Sequence, residues 1–138
     1  MKTSNAGIAA LVRREGIRQK AYKDTKGIWT IGVGHTGPNV YEGLAWTLQQ
    51  VYDALADDLK TSEDCVNTCV TVPLTQNQFD ALVSFIFNIG VTAFRRSTML
   101  KLLNLSLFDL VTDQFDRWDK PPEIIGRRMS EKAQFNLA

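Results

Sequence analysis

Residues 15–37 read EGIRQKAYKDTKGIWTIGVGHTG. The stretch opens on a carboxylate where the preceding residues set up a buried stripe: Ile8, Leu11, Val12 and Glu15 stand at i, i+3, i+4 and i+7, one face of a helix. Ser4 is placed to cap that helix, and Gly16 to end it by taking a left-handed turn. From Ala21 to His35 the helical period vanishes. Asp24-Thr25-Lys26-Gly27 has turn chemistry, and IWTIGVGH alternates with period two, predicting a strand with Trp29, Ile31, Val33 and His35 on one face. The other face carries Ile28, Thr30, Gly32 and Gly34, whose small size suits either a cleft wall or close packing against another element.

Glu15 is an odd choice for folding alone. At a helix C-terminus it meets the negative end of the helix dipole, at a cost of about 0.3–1 kcal/mol. On the buried stripe it would also lose hydration, which favours the neutral acid and suits a proton donor. The structural alternative is a glutamate paired with Arg14, Arg18, Arg127 or Arg128, and an arginine partner would also orient a catalytic acid. Cleavage of a glycosidic bond needs one carboxylic acid to protonate the leaving oxygen and a second carboxylate to activate water or shield positive charge. Asp24 can serve as the second, with the Thr30 hydroxyl holding the water in line. Asp in a turn before Lys-Gly is equally at home making local hydrogen bonds.

Outward from this stretch the chain is helical. Thr47 can cap a long helix with Leu48, Val51, Tyr52, Leu55 and Leu59 on one stripe. Thr75 and Gln78 have capping-box spacing and Gly90 suits the far end of a helix that is apolar nearly all round, from Phe79 to Ile89, and so belongs in the core. Ser97-Thr98 starts a further helix, and Ser106 with Asp109 is read as capping another that carries Phe108, Val111, Phe115 and Trp118 until Pro121-Pro122 stops it. A last helix holds Arg127 and Arg128 near its start. The sum is an α+β layout, mostly helical with one small antiparallel sheet near the N-terminus.

At 138 residues, 44% of them hydrophobic, the chain suits one domain with a sizeable core. The net charge of +1 argues against a nucleic-acid partner, as does the lack of a basic recognition helix. Charge is unevenly spread: residues 1–30 hold seven Lys or Arg against Glu15 and Asp24, and residues 42–64 hold six acids against Lys60. The basic part suits a polyanionic partner such as a cell wall, or is simply a solvated face. Cys65 and Cys69, four apart on a helix, would have Cβ atoms about 5–6 Å apart against the roughly 3.8 Å of a disulfide, so free thiols are expected.

The spacing of Glu15, Asp24 and Thr30 within residues 15–37 resembles the catalytic stretch of the phage-type lysozymes, the endolysins of tailed phages related to the T-even and lambdoid phage lysozymes. VPLTQNQFDALVSFIFNIG (72–90) with AFRRSTMLKLLN (93–104) looks like the buried helix and its successor in that family, and FDRWDKPPEIIGRRMSEKAQF (115–135) resembles its closing segment. The resemblance implies a lysozyme-like fold with a catalytic cleft between two lobes: a β-containing lobe over about 14–46, a connecting helix over about 47–66, and a helical lobe over about 73–138 joined by the N-terminal helix. It implies that Glu15 is the general acid and that Asp24 and Thr30 manage the attacking water; with proton transfer so assigned His35 is expected to be structural, and Gly32 and Gly34, on the small-residue face, are candidate substrate-binding positions. The implied reaction is hydrolysis of the β-1,4 bond between N-acetylmuramic acid and N-acetylglucosamine in peptidoglycan, with inversion and without metal or cofactor. The implied setting is phage release by a monomer made in the host cytoplasm. Many relatives carry an export or tethered N-terminal segment, whereas this sequence starts at MKTSNAGIAAL, so a holin is the expected partner for membrane passage. Two rivals share the groove: a peptidoglycan-binding module that lost the chemistry, and a lytic transglycosylase that leaves an anhydro-sugar end.

Overall fold

A computed structural model describes all 138 residues, Met1–Ala138. The order of elements is α1 (Asn5–Glu15), β1 (Arg18–Lys23), β2 (Trp29–Gly32), α2 (Leu48–Cys69), α3 (Gln76–Ile89), α4 (Val91–Arg95), α5 (Thr98–Asn104), α6 (Phe108–Phe115), a 3-10 turn (Pro122–Ile124) and α7 (Ile125–Phe135). The expected α+β class holds: the single sheet is a two-stranded antiparallel pair and everything else regular is helical. No helix is long and apolar enough to cross a membrane. Two compact units divide the chain, Met1–Ile8 with Thr61–Ala138, and Ala9–Lys60.

The larger unit is built on α3. Thr75 and Gln78 form the reciprocal capping box that their spacing predicts, and Gly90 ends the helix at φ 92°. Between those caps Phe79 to Ile86 is an unbroken buried run, with each large apolar side chain contributing roughly 1.5–3 kcal/mol. Phe85 packs edge-on against Phe115 and Trp118 at 5.3 and 5.5 Å, and Phe135 completes the aromatic layer 5.7 Å from Phe115. At the chain start, Ser4 caps α1 by accepting from the Gly7 amide at 3.0 Å and gives its own hydroxyl to Asp80. Gly7 is there because a Cβ would lie 2.5 Å from the Asp80 carboxyl carbon.

The polar heart of this unit is Glu131, which is fully buried. Its carboxylate accepts from Ser84 Oγ at 2.6 Å, Arg127 Nε at 3.2 Å and Arg128 Nη1 at 2.6 Å. Arg128, itself 2% exposed, also donates to the Trp118 carbonyl and to Asn88. Such a cluster holds a unique packing, and removing one member strands the others in a low dielectric.

In the smaller unit β1 and β2 pair with Tyr22 opposite Thr30 and Lys23 opposite Trp29, and a bulge separates that register from Arg18 opposite Gly32. Residues 44–46 cover the outer edge of β1: the Ala21 amide reaches the Leu44 carbonyl and the Trp46 amide reaches the Gln19 carbonyl. Thr47 caps α2 as predicted, exchanging bonds with Gln50.

Five local expectations need correction. The strand does not run to His35: Gly32 and Gly34 both sit at φ 69°, the chain turns at Val33-Gly34, and His35 folds back to pair with Ile31. The buried stripe of α2 is narrower than expected, because Val51, Leu55 and Leu59 are inside whereas Leu48 and Tyr52, on its flank, are 51% and 42% exposed. Ser106 caps nothing, since its backbone is left-handed at φ 58° and Leu107 takes the position before α6. Trp118 lies three residues past the end of α6 and reaches Phe85 from the following loop. The short α4, between Gly90 and Ser97, is an element that the apolar period did not show.

Cys65 and Cys69 are free, as the helix spacing requires. Burial pushes the Cys65 thiol up to about 11, aided by the neighbouring Cys69 sulfur. Burial acts the same way on Cys69, but hydrogen bonds from Thr68, Arg95 and Cys65 outweigh it and bring that thiol below its ordinary value. At pH 8 iodoacetamide is therefore expected to label Cys69 first and leave Cys65 untouched until the chain unfolds, as peptide mapping will read. Glu131→Ala is expected to lower stability by about 3–5 kcal/mol in urea unfolding, because it leaves two arginines without their shared carboxylate.

Candidate active site

Residues of the smaller unit build the site. Asp24 stands at the entry of the β1–β2 turn, and its Oδ1 accepts from the Lys26 and Ile28 amides at 2.8 and 2.9 Å. Its own amide donates to the Ile28 carbonyl at 2.9 Å, and Gly27, at φ 78°, returns an amide to the Asp24 carbonyl. The turn-forming role that the sequence offers for Asp24 is thus real, and it uses one carboxylate oxygen only. Oδ2 takes no hydrogen bond from the protein.

Thr30 is 4% exposed and its hydroxyl donates to the Ile28 carbonyl at 2.9 Å. With its proton committed, Oγ1 is left as an acceptor, the role needed to orient a water O–H. One peptide neighbourhood, Ile28, therefore positions both side chains: its amide holds Asp24 Oδ1, and its carbonyl receives the Asp24 amide and the Thr30 hydroxyl.

Glu15 is the last residue of α1 and is half-buried, as its place on the stripe predicts. Gly16, at φ 78°, ends the helix after it, and the Gly16 amide closes on the Val12 carbonyl at 2.7 Å. The Glu15 carboxylate lies against Gly34, where a Cβ would stand 3.8 Å from Oε2. What brings Gly34 there is the Val33-Gly34 turn, clamped by two bonds of 2.9 Å between the backbones of Ile31 and His35. Ile31 directly follows Thr30, so one tight turn links the Thr30 side of the site to the Glu15 side.

The two glycines divide the alternatives left open by the sequence. Gly34 is exposed beside the carboxylate. Gly32 is buried, and a Cβ there would stand 3.2 Å from the Trp46 ring, which is close packing against another element. Trp46 also faces the His35 ring at 5.3 Å, and His35 Nδ1 bonds Asp58 Oδ2 at 2.7 Å, anchoring the turn to α2. Asp58, Trp46 and the Ile28 backbone are positioning groups that the sequence did not mark, since Asp58 is hidden in an acidic run and a backbone role leaves no signature. His35 has the structural part expected of it. Arg127 and Arg128, the distant candidates to pair with Glu15, both bind Glu131.

This arrangement offers an acid on one side of a turn and, on the other, a carboxylate oxygen and a hydroxyl acceptor. It is the donor set for general acid–base hydrolysis with a directed water. Gly34→Ala should cost about 1–2 kcal/mol for its left-handed backbone alone. Gly32→Ala should cost an additional 1–3 kcal/mol, roughly, for crowding Trp46, a difference that urea unfolding of the two variants resolves.

Comparison with known proteins agrees with the geometry. The family model described as phage lysozyme matches residues 12–131. The endolysin of Salmonella phage P22 is 46% identical, over 98% of this chain and 98% of its own. The crystal structure of a P22 lysozyme mutant superposes with a TM-score of 0.92 at 43% identity, covering 99% of each chain. The muramidase domain of SpmX from Asticaccaulis excentricus also gives 0.92, at 39% identity over 99% of this chain and 99% of that one.

Proposed function

The chain belongs to the phage lysozyme family, and from that premise we propose that it is an endolysin that hydrolyses the β-1,4 bond between N-acetylmuramic acid and N-acetylglucosamine in peptidoglycan, with inversion. Glu15 is the general acid that protonates the leaving sugar oxygen. Asp24 Oδ2 and Thr30 Oγ1 take the two protons of one water as hydrogen-bond acceptors and aim its lone pair at the anomeric carbon. As the bond breaks, positive charge grows on the sugar ring and the Asp24 carboxylate stabilises it; a water proton passes to that carboxylate as the new C–O bond forms. Gly34, bare beside the acid, leaves room for a sugar to approach. The reaction needs no metal or cofactor.

The observation that carries this reading is the division of labour within one carboxylate. Asp24 Oδ1 is spent on the Lys26 and Ile28 amides while Oδ2 takes no bond from the protein, and Thr30, whose proton is already given away, shares the Ile28 carbonyl with the Asp24 amide. A merely structural aspartate gains nothing from that second arrangement. It also favours hydrolysis over transglycosylation, which has no use for a held water. The enzyme works as a monomer from the host cytoplasm and reaches the wall once a holin has opened the inner membrane.

The test is mass spectrometry of the ends released from purified peptidoglycan. A reducing muramic acid supports the reading, whereas an anhydro-muramic end points to a transglycosylase and no product to a binding module. Glu15→Gln should stay folded and lose activity by about 10²–10⁴-fold in clearing a cell-wall suspension. Asp24→Asn retains the acceptor for both turn amides and loses the charge, so it should stay folded, with some loss of stability, while losing activity to a similar degree. Full activity in either variant would remove that residue from its role.

A further inference from the structure

The hydrolase reading assigns no part to the two cysteines of the larger unit. Cys65 is buried, and Cys69, the last residue of α2, is half-buried. Their sulfurs lie within hydrogen-bonding reach of one another, and the guanidinium of Arg95, the last residue of α4, reaches both. Arg95 has no carboxylate partner, in contrast to Lys60 with Asp57 or Lys132 with Asp116. Asn104 of α5 fixes the same corner: its Nδ2 donates to the Cys69 carbonyl at 2.9 Å and its Oδ1 accepts from the Thr71 amide at 2.8 Å. Two thiols and one unspent positive charge are thus brought together by α2, α4 and α5.

The spacing decides what such a pair can hold. One helical turn sets the two Cβ atoms about 5–6 Å apart, too far for a sulfur–sulfur bond. An ion between the sulfurs removes that obstacle, because two metal–thiolate bonds, each near the roughly 2.3 Å of zinc–sulfur, span about 4.6 Å. Zinc takes three or four protein ligands and an iron–sulfur cluster four cysteines, whereas no group of three or more His, Cys, Asp or Glu side chains is gathered anywhere in the chain. Thiolates select soft ions, and a site with two of them suits the ions that are satisfied by two ligands. We propose that Cys65 and Cys69 form a binding site for a soft monovalent cation of the copper(I) class, with Arg95 as its counter-charge. Each sulfur gives up its proton and makes one bond to the metal, so two thiols and one Cu⁺ yield a bis-thiolate complex of net charge −1 and two protons. Arg95 balances that charge. The half-buried Cys69 is the way in, and Cys65 closes the pair from the buried side.

The experiment titrates the reduced native chain, without oxygen, with copper(I) held by a coloured competing chelator. One copper per chain should leave the chelator, and X-ray absorption of the complex should count two sulfurs on the metal and no nitrogen or oxygen. The loaded chain should resist iodoacetamide at Cys69 and sediment with the mass of the free chain. C65S and C69S, with folding checked by circular dichroism, should each hold copper at least about 100-fold more weakly, since one ligand of a linked pair is gone. R95Q should bind roughly tenfold more weakly, and R95K should recover the difference. Copper retained by C69S as tightly as by the native chain, one copper shared between two chains, nitrogen or oxygen ligands on the metal, or zinc bound as tightly as copper would each overturn the proposal. R95Q binding as the native chain does would overturn the counter-charge. The X-ray and alkylation readings use the native chain, so they decide the question even where C65S fails to fold.

Discussion

In the proposed mechanism one carboxylate serves the fold and the chemistry at once. Asp24 Oδ1 accepts two backbone amides that shape the β1–β2 turn, at distances of 2.8 and 2.9 Å. Hydrogen bonds to a charged group are typically worth about 1.5–3 kcal/mol each, so the turn and the ionised side chain stabilise one another. With Oδ1 fixed, Oδ2 has little freedom left, and its direction is set by the backbone. Thr30 is set by the same Ile28 carbonyl, and Glu15 meets the next turn of the chain at Gly34. A catalytic water would be held by groups whose positions are already determined before substrate arrives, which is how orientation contributes to a rate.

Two ways of handling charge appear in this chain. Glu131 is buried and fully engaged by Ser84, Arg127 and Arg128, an arrangement that specifies packing and leaves no oxygen for a ligand. Asp24 is half-satisfied and partly exposed. The first pattern suits a rigid helical unit. The second suits a surface that exchanges water.

Much of this was legible in the sequence where one local rule acts alone. Ser4, Thr47, Thr75 and Gly90 cap helices as their residue types dictate, and the run from Phe79 to Ile86 is buried because a helix apolar on every side has no other place to go. The expectations that needed revising lie where two rules compete. Alternation predicted a strand to His35, but glycines at 32 and 34 adopt left-handed backbone and let the chain fold back. Serine at 106 has the right chemistry for a cap, but its backbone is left-handed and the loop from α5 passes the role to Leu107. The parts of the site that were illegible are the tertiary ones: the Ile28 backbone, the Trp46 ring on Gly32 and the Asp58 partner of His35 are set by packing, which spacing along the chain does not encode.

The central claim is that a water held by Asp24 and Thr30 attacks the anomeric carbon from the face opposite the departing sugar. It is tested most directly by digesting peptidoglycan fragments in oxygen-18 water while following the new reducing end by proton NMR before mutarotation. The account predicts the α-anomer of the muramic acid as the first product, with the heavy oxygen on its anomeric carbon. A first product of β configuration, or one without the label, would contradict it.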